Sequence, residues 1–478
     1  MKIPDKGLEE NALFQRLESF HEKDLEMRDG KMFGHAFLVN DSVRKVVEKA
    51  YTMYLWKNAL DPTLFPSLLQ LENEVVAMSR AHLRGDDDVV GNFTSGGTES
   101  ILLAVKAMRD KARSERPEIT EPEMILPVTA HAAFHKAAHY FCIKTVLTPV
   151  DPETFKADVS AIKKAISSNT VLIVASAPSY AHGVIDPIGE IGELALEDDI
   201  PLHIDGCIGA FLLPYYRQLG VDVPDFDFTV PGVTSISMDF HKYSFAAKGA
   251  SVILYRNKKL RRYQIFSCSD WTGYTVLNPT VQSSRSGGPL AGTWAVLKFL
   301  GNDGYLEVVR KLKGATDKVI EGINEMDDLY VLGKPEMCLL GIGSETVNVF
   351  HIVDEMKERG WHIQAQLGLA NTIHRENFHL TILPSNIDRI DEWLGDLREC
   401  VEIAKTREPG KLAEQISALL PQTDTVEIDD DDIWNLFKLV GIEGDALPGR
   451  MAEINEILNA LPPKLADTLL VAYLNEVS

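Results

Sequence analysis

Downstream of His82 the chain alternates short β-branched runs with amphipathic stretches, and that rhythm limits its fold more than any other feature. The runs are MILPVTA (124–130), TVLIVASAP (170–178), IPLHIDG (200–206), SISMDFH (235–241) and ASVILY (250–255). Helical patterns lie between them at 100–113, 159–166 and 188–196. Strands alternating with helices over about 200 residues make a sheet covered by helices on both faces. Polar or Gly-rich segments follow several runs, and ligands sit at such strand ends in open α/β sheets.

The flanks read differently. The first 55 residues are helical, with Leu13, Leu17 and Phe20 on one face and Val43, Val46, Val47 and Ala50 on another. A loop with two prolines spans 58–66, and a helix follows to His82. Residues 273–292 read as a long loop, with a helix from Thr293. Beyond it, LYVLG, VNVFHIV and NFHLTILP read as strands, with helices at 317–326 and 387–405. The expected units are an N-terminal helical segment (1–60), a large domain (61–295), a small α+β domain (296–410) and a helical extension (411–478), broken by the acidic run 429–432.

Bulk properties remove several function classes. The 478 residues are 45% hydrophobic and 25% charged, as in a folded globular protein. A formal charge of −22 repels phosphate backbones and anionic leaflets, so no nucleic-acid partner is expected. The five cysteines have no CxxC spacing, so neither a zinc site nor a disulfide framework is signalled. No signal-peptide h-region and no run near the ~20 apolar residues of a membrane span are visible. The expectation is a cytoplasmic chain with no transmembrane segment and no metal.

Four strings carry chemistry. Lys242 follows a strand beside His241; burial disfavours its charged form and would make it a nucleophilic amine. His203 and Asp205 share one strand face, and a carboxylate at a strand end can hold a protonated ring nitrogen. Gly96-Gly97-Thr98 opens a helix, where N–H groups and the dipole favour an anion. His131 follows a strand and can stack on an aromatic ring. Alone, each has an ordinary reading: a surface lysine, a strand-end cap, a helix start, a loop histidine. In this order they describe a pyridoxal 5′-phosphate site.

With those strings in hand, the chain resembles the fold-type I (aspartate-aminotransferase-like) pyridoxal-phosphate enzymes of the group II decarboxylase superfamily. Within it the chain is most similar to the sphingosine-1-phosphate lyases. The likeness rests on TSGGTESILLAVKAMRDKAR, TAHAAFHKAAHYF, SAPSYAHGVIDPI, HIDGCIGAF, SMDFHKYSFAAKGASVILYRNKKLRRYQ and DWTGYTVLNPTVQSSRSGG, and fades after about Gly301. It implies a mainly parallel seven-stranded sheet in the large domain and a smaller α+β C-terminal domain. Lys242 would form the Schiff base, Asp205 hold the ring nitrogen and His131 stack on the ring. Gly97 and Thr98 would bind the phosphate, with His241 close by. Tyr180 and Lys248 would act around the substrate together with Asn58, Asp61, Ser284 and Arg285, and 283–287 would cross a homodimer interface into a shared site.

The implied reaction is retro-aldol cleavage of a phosphorylated sphingoid base to a long-chain aldehyde and phosphoethanolamine. An L-amino-acid α-decarboxylase, with Arg375 or Arg285 on the carboxylate, is the alternative. A third is a non-catalytic scaffold whose acidic tail binds a partner. Three residues depart from the lyase pattern: Asp61 replaces a His, His135 replaces an Asp, and Gly206 replaces a small Ala or Cys. A carboxylate at 61 would repel a phosphate monoester.

Overall fold

The computed structural model describes residues 2–369, 374–408 and 449–477. Seven strands form the main sheet: β1 (Val90–Thr94), β2 (Glu123–Pro127), β3 (Lys144–Thr148), β4 (Thr170–Ser176), β5 (Leu202–Asp205), β6 (Val233–Asp239) and β7 (Ser251–Tyr255). Their order is β1-β7-β6-β5-β4-β2-β3. β7 runs antiparallel to β1 and β6, while β6, β5, β4, β2 and β3 pair in parallel. The mainly parallel seven-stranded sheet is therefore present. β1 and β3, absent from the sequence reading, complete its edges.

Strand alternation splits the interior into two cores. Ile125, Ile173, Ile204, Ile236 and Met238 face one, with α2 (Asp41–Met53) and α3 (Pro66–His82) nearby. Met124, Leu126, Leu172 and Val174 face the other, under α4 (Gly97–Glu115) and α5 (Ala132–Phe141). Every residue of β4 is buried, as expected of a strand covered on both sides. Numbering from α1 (Glu10–Phe20), the crossovers continue as α6 (Val159–Ala165), α7 (Ile188–Glu197), α8 (Leu213–Gln218) and α9 (Lys258–Arg261).

The expected loop at 273–292 is shorter than read. A hairpin of β8 (Phe266–Cys268) and β9 (Val276–Asn278) takes up its first residues. The next helix, α10 (Gly287–Asn324), begins six residues ahead of Thr293 and kinks at Gly301. Ser286 caps it by accepting from Gly288 N–H at 3.3 Å. The glycines look loop-like in sequence, yet they let this helix start lie against Tyr51 and Leu68, where a Cβ would collide at 2.8–2.9 Å.

A second sheet contains β10 (Tyr330–Val331), β11 (Leu339–Gly343), β12 (Gln364–Gln366) and β13 (Asn377–Thr381) in the order β10-β11-β13-β12. The segment VNVFHIV is not a strand. It opens α11 (Val349–Glu358), capped by Asn348 Oδ1, which accepts from Phe350 N–H at 2.9 Å. Val349, Phe350, Ile352 and Met356 are buried at helical spacing. β-branched composition pointed to a strand; the cap and the packing decide for a helix. After α12 (Ile390–Ala404), the described C-terminal helices are α13 (Ala452–Ala460) and α14 (Pro463–Val477). The acidic run 429–432 lies outside the described residues.

Candidate active site

β5 and β6 are in register, with His203 opposite Ser235 and Asp205 opposite Ser237. Period-two geometry then lines His203, Asp205, Ser235, Ser237 and Asp239 along one face. His203 uses both ring nitrogens on this stripe, Nδ1 at 2.8 Å from Ser235 Oγ and Nε2 at 3.3 Å from Ser237 Oγ. Asp205 Oδ1 accepts from Cys207 N–H at 3.1 Å. The stripe ends at the carboxyl ends of the strands, where Asp239 and the turn after β6 present Lys242.

Lys242 Nζ lies 3.0 Å from Asp239 Oδ2, and His241 Nε2 lies 3.6 Å from the same oxygen. His241 is held from its other side, Nδ1 accepting from Ala250 N–H at 3.2 Å. Gly97, the first residue of α4, packs on this group: a Cβ there would stand 2.8 Å from Cys207 Sγ and 2.9 Å from Asp239 Oδ2. The structure thus brings Gly97, Asp205, His241 and Lys242 together. It adds Asp239, which the sequence reading passed over although it lies three residues before Lys242.

The charge state of Lys242 departs from expectation. Burial does push its pKa down, as the sequence argument held. Asp239, Cys207 and Asp205 push it up more, and the net shift is upward. With a carboxylate at contact distance, Lys242 is a cation at neutral pH, and its nucleophilic form needs a proton acceptor. Burial lowers the pKa of His241, against the field of Asp239.

Of the remaining residues, Thr98 adjoins Gly97, and Tyr180 and Lys248 lie close enough to feel the charge of Lys242. His131 is the N-cap of α5, its Nδ1 accepting from Ala133 N–H at 3.1 Å, so its ring plane is set by the helix start. Thr98 is exposed on the first turn of α4. Glu99, also unpredicted, ties that turn down: Oε2 accepts from Ser95 N–H at 2.6 Å and Oε1 from Val281 N–H at 2.8 Å. Tyr180, after β4, donates its hydroxyl to Gln364 Oε1 at 2.7 Å and lies 4.3 Å, ring to ring, from His379. Burial raises the pKa of Tyr180. Lys248 sits 5.1 Å over the Phe37 ring; burial, then the charge of Lys242, lowers its pKa.

Asn58, Asp61, Ser284 and Arg285 form a separate corner. Residue 58 bridges to residue 286, and Ala59 N–H donates to Arg285 O at 2.9 Å. Among the described residues no hydrogen bond or ion pair joins this corner to Lys242. Asp61 Oδ1 accepts from Thr63 N–H at 2.8 Å and Thr63 Oγ1 at 2.6 Å, which lowers its pKa. Ser284 is exposed.

Arg285 was expected to meet an anionic substrate group, and the structure gives it another task. Its Nη1 and Nη2 grip the two Glu72 oxygens at 3.0 and 3.1 Å, and Nη1 also donates to Phe93 O at 3.0 Å. The pair is nearly buried and fastens α3 to β1. Arg375, the other carboxylate candidate, pairs with Glu345 at 3.0 Å on the surface. Gly206 also has a packing reason, since a Cβ there would stand 2.4 Å from Ala210 Cβ.

These residues suit pyridoxal phosphate. Asp205 offers a buried carboxylate, Lys242 an amine, and the start of α4 a set of N–H donors beside a glycine that keeps the approach open. Asp239 Oδ1 is buried and accepts no hydrogen bond, which leaves one strong acceptor beside the amine.

The pyridoxal-dependent decarboxylase conserved domain matches residues 2–341, well past Gly301 where the likeness was expected to fade. A second family, described as "Pyridoxal-dependent enzyme, C-terminal putative HTH domain", matches residues 414–476. The sphingosine-1-phosphate lyase of Arabidopsis thaliana is 41% identical over 419 residues, covering 86% of this chain and 75% of that protein. A probable L-aspartate decarboxylase of Pyrococcus furiosus is 34% identical over 376 residues, covering 78% of this chain and 97% of that protein. Among solved structures, a sphingosine-1-phosphate lyase of Burkholderia pseudomallei superposes with a TM-score of 0.80 at 36% identity, covering 85% of this chain and 93% of that one.

Proposed function

The chain belongs to the pyridoxal-dependent decarboxylase family, among the sphingosine-1-phosphate lyases, and on that footing we propose that it cleaves a phosphorylated sphingoid base. The products are a long-chain aldehyde and phosphoethanolamine. The observation that carries the lyase reading is 41% identity to a lyase over 86% of the chain. α-Decarboxylation of an amino acid is the second reading, favoured by the 34% identity to an aspartate decarboxylase. Against it, Arg285 and Arg375 are engaged by Glu72 and Glu345.

Bound pyridoxal phosphate supplies an aldehyde for the amine of Lys242 and a sink for the electron pair released when the Cα–Cβ bond breaks. Asp205 would hold its ring nitrogen, His131 its ring face, and Gly97 and Thr98 its phosphate, with His241 beside the amine. Asp239 takes the proton that Lys242 must lose before it reacts. Lys248, whose pKa is lowered, is the group suited to remove the proton of the substrate C3 hydroxyl. Tyr180, whose pKa is raised, keeps its proton and serves as hydrogen-bond donor and acid at the reacting carbon.

The proposal includes a homodimer in which Asn58, Asp61 and Ser284 of one protomer complete the site of the other. Two features support it. No hydrogen bond or ion pair joins the corner to Lys242 in its own protomer, among the described residues. Its chain neighbours Trp56 (90%) and Leu64 (70%) are exposed, a cost in water that a second copy would remove. We take 61–295 and 296–410 as the large and small domains and 411–478 as an extension, and the cytoplasm as the compartment. No helix among the described residues is long and apolar enough to cross a membrane.

The test is product analysis with cofactor-loaded protein. Aldehyde from a phosphorylated sphingoid base supports the lyase; carbon dioxide from an amino-acid panel, with no aldehyde, replaces it with the decarboxylase. Lys242→Ala should remove both the visible cofactor band and turnover. Borohydride reduction followed by peptide mass mapping should label Lys242 and no other lysine.

A further inference from the structure

The C-terminal segment matches an HTH domain, a type of unit often used to read DNA. Its charge argues against that use. Residues 414–476 hold 13 acidic and 3 basic side chains, a net charge of −10 that repels a phosphate backbone. Its described helices are instead fastened to α11, which itself packs on β12 and β13. Asp354 on α11 caps α13, accepting from Met451 N–H and Ala452 N–H, each at 2.9 Å. Arg450 pairs with Glu355, and Glu456 accepts from Asn348 Nδ2 at 2.6 Å. Ala452, Ile454, Ile457, Leu461, Leu465 and Leu469 are buried.

Two contacts of one residue lead from this docked helix toward the active site, the weaker donated by Asn459 Nδ2 to Glu376 Oε2 at 3.5 Å, just ahead of β13. Asn459, near the end of α13, accepts from Gly368 N–H through Oδ1 at 2.7 Å. Gly368 lies two residues past β12, and β12 is a three-residue strand in register with β13, Gln364 facing His379. Both of those residues contact Tyr180: Gln364 accepts its hydroxyl at 2.7 Å, and His379 lies 4.3 Å from its ring. A strand this short has little pairing of its own, so an anchor at its exit limits how far Gln364 can swing.

We propose that Asn459 is a positioning residue of the active site, holding Gly368 so that β12 keeps Gln364 on the Tyr180 hydroxyl, and that the C-terminal helices are an internal buttress rather than a nucleic-acid reader. This rests on the role given to Tyr180 above. Asn459 touches no reacting atom; it acts through Gln364.

The experiment uses the full-length, cofactor-loaded protein and a double-mutant cycle. Asn459→Ala should lower kcat about fivefold while KM shifts far less, the scale of a coupling passed through packed elements. Hydrogen exchange over 364–369 should quicken. Asn459→Asp keeps an acceptor for Gly368 but sets a carboxylate against Glu376, so it should recover part of kcat, and more at raised ionic strength. In a Gln364→Ala background, Asn459→Ala should add nothing. Asn459→Leu, similar in volume, substitutes if the alanine variant does not fold. Unchanged exchange, unchanged kcat or multiplicative losses in the double variant overturn the buttress. If Tyr180→Phe itself turns over normally, the catalytic role of Tyr180 falls instead, and exchange over 364–369 alone then decides the anchoring. A fluorescent random-sequence DNA duplex at low salt should not bind; micromolar binding overturns the claim that this segment is no reader.

Discussion

Asp239 Oδ2 stands 3.0 Å from Lys242 Nζ, and its second oxygen, Oδ1, is buried without a hydrogen bond. In the proposed function, the amine that attacks an aldehyde is thus stored as an ion pair with the group best placed to take its proton. Removing the charge should separate storage from reactivity. In Asp239→Asn burial acts on Lys242 with less opposition, so its pKa falls. The pH at which added pyridoxal phosphate develops its visible band should move down. Turnover should drop roughly ten- to hundredfold, the scale of a lost charge-assisted hydrogen bond. A band whose pH dependence matches the parent would count against Asp239 as acceptor.

Lys248 and Tyr180 should separate in a pH profile. A base works deprotonated, so activity should rise with pH through the lowered pKa of Lys248. Lys248→Met should cost about a hundredfold in kcat/KM and flatten that rise. Tyr180→Phe should lower kcat and leave the rise where it was. If the tyrosine variant loses the rise instead, the two roles are exchanged.

Asp61 tests substrate charge. Its hydrogen bonds from Thr63 keep it ionised at neutral pH. Asp61→His should therefore lower KM for a phosphorylated substrate about fivefold at low ionic strength, the effect of one unit charge at contact in a solvated setting. Added salt should shrink the gain. An equal effect on an unphosphorylated analogue would mean that charge is not the cause.

Three buried histidines make acid stability a separate readout. Burial holds His182 and His379 down to about 3 and His203 down to about 4. Unfolded, each would titrate near 6.5, so between 6.5 and those values the unfolded chain binds more protons. Stability is complete above about pH 6.5 and is lost as pH falls, by at most ~1.4 kcal/mol per pH unit for each histidine. Thermal unfolding at pH 7.5, 6.5 and 5.5 should show Tm falling over the last step, and His182→Gln should reduce that fall. A Tm independent of pH over this span would contradict the assignment.

The legible part of this protein was local. Runs of β-branched residues marked β2, β4, β5, β6 and β7, because a strand buried on both faces has a composition of its own. The strings around Gly97, His131, Asp205 and Lys242 were visible for a similar reason: each joins a strand end to a turn with the residue types one chemistry requires. VNVFHIV misled, since β-branched residues also fill a buried helix face once Asn348 caps it. The glycines before Thr293 misled too, because close packing on Tyr51 uses the same residue as a flexible loop.

The chain order alone therefore determined the sheet-and-helix architecture and singled out the side chains proposed here to serve a pyridoxal ring. Tertiary structure decided what those side chains meet. Asp239 became the partner of Lys242 because the turn after β6 folds back on its own strand end. Arg285 is gripped by Glu72, more than two hundred residues away in sequence. Gln364 and Asn459 reach the neighbourhood of Tyr180 only through the second sheet. Periodicity carries no information about such pairings, because charge and hydrogen bonding act through a few ångströms of space whatever the distance along the chain.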